Sequence, residues 1–196
     1  MVIGNANYSE QTPLKNPIND AKAIAAKLQK IGFEVTYEQD LEFREFGRAL
    51  GRFERELSSS DISLIYYAGH GIEVDGESYL IPVDAELRNA SDVKFETVML
   101  QDAVSASLSA SKLSMILIDA CRDNPFAKSM KGKNRSIGWA YLLLMLSVVK
   151  LTKSSALPLK VESSPRTETA TIVHMLQRLL ICSMNQIWRL ASYLES

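Results

Sequence analysis

Two cysteines, two histidines, two tryptophans and six prolines among 196 residues leave few ways to build a site. Cys121 and Cys182 make no disulfide framework, so Cys121 reads as a free thiol rather than half of a bridge. Neither sign of charge dominates. The 22 Lys and Arg against 23 Asp and Glu give a net −1, which removes any bulk attraction to nucleic acid or an anionic membrane. The longest apolar run, Trp139 to Val149, falls well short of the roughly 20 residues that cross a bilayer. No nucleic-acid or membrane partner is expected, and any charge recognition has to be local. The opening Met1-Val2-Ile3-Gly4-Asn5 reads as the end of a strand with no signal peptide, giving a cytoplasmic expectation that leaves open an export signal upstream.

What the chain does contain is an alternation of helix and strand patterns within a length suited to one domain. The Ala-rich, amphipathic spacing of Ala21 to Leu28 predicts a helix capped by Asn19 or Asp20 and closed by Gly32. Phe33 to Tyr37 alternates like a strand, and Phe43 to Leu57 predicts a second helix with Phe46, Leu50, Phe53 and Leu57 on one face. The turn chemistry of Val74-Asp75-Gly76-Glu77 predicts a hairpin leading into Tyr79-Leu80-Ile81, and Leu100 to Leu108 looks helical. Ile62 to Gly69 and Leu113 to Ala120 are continuous apolar runs, as strands buried on both faces require. The fold class expected is α/β, a mostly parallel sheet with helices on both faces.

His70 follows the first of those runs and Cys121 the second, 51 residues later. Sites in parallel sheets form at the carboxyl ends of strands, and both residues fall there. A Cys/His pair on adjacent strand ends is a minimal apparatus for nucleophilic catalysis, and His70 is the sole histidine in the first 173 residues. Taken singly, a buried Cys is commonly a small hydrophobe and a lone His a structural residue.

The surrounding motifs go further. Tyr66-Tyr67-Ala68-Gly69-His70-Gly71 and Asp119-Ala120-Cys121-Arg122-Asp123-Asn124-Pro125 closely resemble the His and Cys motifs of bacterial caspase-like peptidases, relatives of metacaspases. Ile3-Gly4-Asn5-Ala6-Asn7-Tyr8, Pro13-Leu14-Lys15-Asn16-Pro17 and Asn19-Asp20-Ala21 resemble the first strand and loop of that family. A histidine about 50 residues before the cysteine is also the caspase arrangement. The resemblance covers about residues 1 to 138. It implies a protein or peptide substrate, Cys121 as nucleophile, His70 as its base or thiolate partner, and backbone N–H groups of Gly71 and Cys121 as the oxyanion hole. It also implies that Asp20 and Asp119 line the pocket for the residue before the cut bond, which two carboxylates would make selective for Arg or Lys.

Lys128, Lys131, Lys133 and Arg135 lie just after Cys121, where the resemblance places the junction between large and small subunits, a stretch such an enzyme could cut itself. Asp75, Glu77 and Asp84 lack EF-hand spacing, so although calcium activates some metacaspases, no metal or cofactor is assigned.

Beyond Gly138 the resemblance stops. The run Tyr141 to Leu146 precedes an aperiodic stretch rich in Ser, Lys and Thr. Taking the last base of each codon with the first two of the next, Arg166 to Leu176 can be reread as Asp-Gly-Asp-Ser-Asn-Asn-Ser-Pro-Tyr-Ala, the missing small-subunit segment. In the same frame Met184-Asn185 forces Glu. The expected organisation is therefore a catalytic domain over 1–138 and a frame-shifted, poorly packing region over 139–196, in which His174 and Cys182 have no role. Two other readings stand beside the peptidase: a non-catalytic caspase-like interaction module, and a doubly wound domain using Gly4-Asn5-Ala6-Asn7 as a phosphate loop.

Overall fold

A computed structural model describes residues 1–11, 13–110, 113–120, 137–138 and 143–149, the last two stretches as backbone strands. All belong to one compact unit, Met1–Thr152. In chain order the elements are β1 (Val2–Gly4), α1 (Pro17–Lys30), β2 (Tyr37–Gln39), α2 (Phe43–Glu56), β3 (Ile62–Gly69), β4 (Gly71–Val74), β5 (Glu77–Leu80), α3 (Val93–Glu96), β6 (Val98–Met99), α4 (Leu100–Ser107), β7 (Leu113–Ala120), β8 (Ile137–Gly138) and β9 (Leu143–Val149). The main sheet runs β2-β1-β3-β7-β9, and a smaller one runs β6-β5-β4-β8. Strands β2, β1, β3 and β7 are mutually parallel, while β9 lies antiparallel along β7.

The parallel core is what the two apolar runs dictate. Every residue from Ser63 to Gly69 and from Leu113 to Ile118 is buried, as strands covered on both faces must be. Neighbouring residues of β1 identify the two layers. Ile3 joins Ile65, Tyr67, Ile116 and Ile118 in a core with Phe46, Leu50 and Phe53 of α2 and Ala103 and Val104 of α4. Gly4, one residue on, faces α1: a Cβ there would stand 2.8 Å from the Pro17 carbonyl oxygen and 2.9 Å from Cβ of Ala21. Each buried Phe or Leu of α2 contributes roughly 1.5–3 kcal/mol by leaving water. The paired hydroxyls of Ser63 and Ser114 are satisfied together on the Ser107 carbonyl, at 2.9 and 2.6 Å.

Helix α2 and the hairpin match their sequence patterns. Phe46, Leu50, Phe53 and Leu57 are all buried, and Asp75 (φ 54°) and Gly76 (φ 83°) form the two-residue turn between β4 and β5, the primed geometry that suits a hairpin. Two expectations need correcting. Helix α1 starts at Pro17 with Asn16 as N-cap, not at Asn19 or Asp20, because proline's fixed φ and missing N–H suit the first helical position. Strand β2 is confined to Tyr37–Gln39. Phe33 cannot begin it: its N–H closes α1 on the Leu28 carbonyl (3.0 Å) while Gly32, at φ 94°, donates to Gln29 (3.0 Å). That pairing is a Schellman closure.

Candidate active site

The ladder between β3 and β7 pairs Ile62 with Leu113 and ends with Gly69 opposite Ala120. His70 is the next residue and is 4% exposed. A Cβ on Gly71 would stand 3.2 Å from Cβ of Ala120, so the start of β4 is tucked against the end of β7. Cys121, with its thiol and its share of the oxyanion hole, lies outside the described residues, as do Lys128, Lys131, Lys133, Arg135, His174 and Cys182.

Because the β3 ladder stops at Gly69, the His70 backbone finds other partners. Its N–H donates to the Tyr8 hydroxyl at 2.7 Å, and its carbonyl accepts from the Tyr67 hydroxyl at 2.7 Å and from the Ile81 N–H at 3.0 Å. The Tyr8 and imidazole rings lie 4.5 Å apart between centroids, tilted by 49°. Residue 69 has to be glycine here: a Cβ would meet the Tyr67 and Tyr8 hydroxyls at 2.6 and 2.7 Å.

The second half of the site is acidic. Gly4, Ala68 and Asp119 form one row across β1, β3 and β7, on the face that α1 covers. Tyr66, two residues before Ala68 and on the same face, donates its hydroxyl to Oδ2 of Asp119 at 3.1 Å. Asp20, in the first turn of α1, completes the group. Its pKa is raised by burial and then by the charge of Asp119, and that of the Tyr66 phenol is raised by burial, by both carboxylates and by its bond to Asp119. Asp20 therefore does not cap α1, and the structure brings it into electrostatic contact with Asp119. The close approach of α1 at Gly4 makes this possible.

Other acidic residues hold the scaffold. Asp40, at φ 50°, accepts from the N–H groups of Ala6 and Asn7 at 2.9 and 3.0 Å and from the Asn7 amide at 2.7 Å. Asn5, fully buried, spans Leu41 and Ile81 through its side chain. The 4–7 loop is thus not a phosphate loop, since its donors already serve an internal carboxylate. Asp84 accepts the Phe43 N–H at 2.8 Å, at the start of α2. Among the described residues no group of three His, Cys, Asp or Glu is arranged to hold a metal ion. No helix among them is long and apolar enough to cross a membrane. A groove of about 1010 Å³ between α2 and the β5–β6–α4 region includes none of His70, Asp20 and Asp119.

Sequence reasoning missed the three tyrosines. The adjacent Tyr66-Tyr67 pair was a usable signal: successive strand residues point to opposite faces, so one phenol had to reach each layer.

The family whose sequence model matches this chain is the caspase domain, over residues 1–184. The chain belongs to that family and is a caspase-like peptidase domain. Among curated proteins it is similar to human mucosa-associated lymphoid tissue lymphoma translocation protein 1, at 32% identity over 126 residues, 62% of this chain and 15% of that protein. The mouse homolog matches at the same identity, over 62% of this chain and 14% of its own length. The chain thus spans about a seventh of the relatives it matches. A crystal structure of protein GSU0716 from Geobacter sulfurreducens aligns with a TM-score of 0.47 and 17% identity, covering 61% of this chain and 48% of that one.

Proposed function

We propose that this caspase-like domain is a cysteine endopeptidase that cuts after Arg or Lys, with Cys121 as nucleophile and His70 as its partner. The observation that carries the reading is the pairing of Gly69 with Ala120. His70 and Cys121 are each one peptide bond beyond that pair, and Asp119 and Asp20 lie beside it. The Cys121 thiolate adds to the substrate carbonyl carbon, and the oxyanion is held by the N–H groups of Gly71 and Cys121. Collapse breaks the C–N bond, the amine leaves with a proton from His70, and water, deprotonated by His70, then hydrolyses the thioester and restores the thiol. The Asp20/Asp119 pair receives the basic side chain, whose positive charge offsets the burial and, after it, the repulsion from Asp119 that raise the pKa of Asp20.

The same reading divides the chain at Gly138, with 139–196 translated from a shifted frame and this polypeptide correspondingly weak as an enzyme. The test is an assay of fluorogenic peptides bearing Arg, Lys or Asp before the cleavable bond, on this chain and a frame-corrected one. A Cys121→Ala control accompanies each. Expected is a preference of about a hundredfold or more in kcat/KM for Arg and Lys over Asp, since a misplaced acidic side chain meets two carboxylates, with activity abolished in Cys121→Ala. Cleavage after Asp alone would overturn the pocket assignment. No cleavage by either chain, with Cys121 inert to alkylating agents, would overturn the peptidase reading.

A further inference from the structure

A residue at the end of a strand normally loses its ladder hydrogen bonds to water, yet His70 is buried and its backbone is held by two phenols. Tyr67 has one hydroxyl proton and stands 2.7 Å from the His70 carbonyl oxygen and 3.1 Å from that of Ile81. With that proton donated to the carbonyls, the 3.4 Å contact between the two hydroxyls has Tyr8 as donor and Tyr67 as acceptor. The polar groups then close a ring: His70 N–H to Tyr8 O–H, Tyr8 O–H to Tyr67 O–H, Tyr67 O–H to His70 C=O.

The two tyrosines come from different places. Tyr67 is part of β3, whereas Tyr8 follows β1, 62 residues before the histidine. Tyr8 is 4% exposed and contributes a second contact, its ring lying 4.5 Å from the imidazole and tilted by 49°. Gly69 leaves room for both hydroxyls and for nothing larger than hydrogen. An aromatic face also favours the imidazolium that a thiolate partner requires.

We infer that Tyr8 is a positioning residue for His70, fixing the backbone through its hydroxyl and the imidazole through its ring. This inference rests on the dyad reading above. Its place in the mechanism is to present the imidazole to Cys121 in one orientation, so its removal acts on the reactivity of the thiol and not on the acidic pocket.

The test uses the full 196-residue chain carrying Cys182→Ser, which leaves Cys121 as its one thiol. Alkylation by iodoacetamide at pH 6 is measured in that parent and with His70→Ala, Tyr8→Phe or Tyr8→Leu added. Loss of the imidazolium in His70→Ala slows the reaction about a hundredfold, Tyr8→Phe slows it about three- to tenfold, and Tyr8→Leu slows it more. Tyr8→Phe keeps the shape of the side chain and therefore the fold. In NMR spectra the His70 ring protons keep their shifts in Tyr8→Phe and move downfield in Tyr8→Leu as the ring current is lost. Parent-like alkylation in both Tyr8 variants, with unmoved His70 ring protons, would overturn the inference. Unchanged alkylation in His70→Ala would instead sink the dyad reading, and the ring-proton shifts alone would then decide the role of Tyr8.

Discussion

Asp20 faces a second carboxylate from the first turn of α1, and its pKa is raised by burial and by that neighbour. The folded chain therefore binds this proton more tightly than the unfolded chain does. Stability is lost as pH rises from the ordinary Asp value toward the raised one, and the loss persists at neutral pH. Asp20→Asn is expected to melt higher than the parent at pH 7, by roughly 1–3 °C given how much solvent reaches the group. The gain should vanish as pH falls well below the ordinary Asp value of 3.8, where the parent carboxyl is protonated in both states. Fluorimetric melting curves across that range check it, and an Asp20→Asn chain that melts lower at pH 7 would contradict the assignment. The same substitution removes half of the proposed cation pocket, so stability and function pull apart at this position. The sequence motifs single out both acids, and the structure brings their charges within reach of each other. Tyr66 was not legible in this way, because a phenol in an apolar run looks like core until the sheet register puts it two residues below a carboxylate.

The acids at the start of α2 show how elements carry part of the evidence in sequence and part only in space. The stripe of Phe46, Leu50, Phe53 and Leu57 could be read directly, since a 3.6-residue period needs no tertiary partner to be recognised. The helix start could not. Glu42 and Glu45 form a reciprocal capping box, and the Phe43 N–H is satisfied by Asp84, 41 residues away. Asp84→Ala should cost about 1 kcal/mol, the usual value for a lost cap, and lower the urea midpoint without changing the slope of the transition. An unchanged midpoint would mean that the Asp84 carboxylate adds nothing to α2. The short β2 and the shifted start of α1 were misread for one reason. Cap geometry depends on single residues that apolar periodicity does not weigh: Pro17 sets the first helical position, and Gly32, read correctly as the end of α1, also draws the Phe33 N–H into that closure.

At the scale of the molecule, the membership in the caspase domain family and the parallel sheet agree with the order of motifs in the sequence. Leu143–Val149 pairs with β7 over its whole length, and an apolar, β-prone run adds to an open sheet edge whether or not it was selected for that place. A frame-corrected chain is expected to melt higher than this one, by about 5 °C or more for a domain of this size, with a sharper transition. Equal melting curves would argue that 139–196 already serve the fold, and sequencing the DNA across codons 136 to 160 decides the reading frame itself.

The row of Gly4, Ala68 and Asp119 has one more implication. Its three members sit on consecutive parallel strands, so they are spaced by the hydrogen-bond lattice, about 4.8 Å per step. The sheet is a ruler, and side-chain size along the row grows from a hydrogen through a methyl group to a carboxylate. A spacing measured out in this way cannot be widened by flexing a loop. Selectivity of the proposed pocket can drift only by substituting the residues on the row, or those that lean over it from α1.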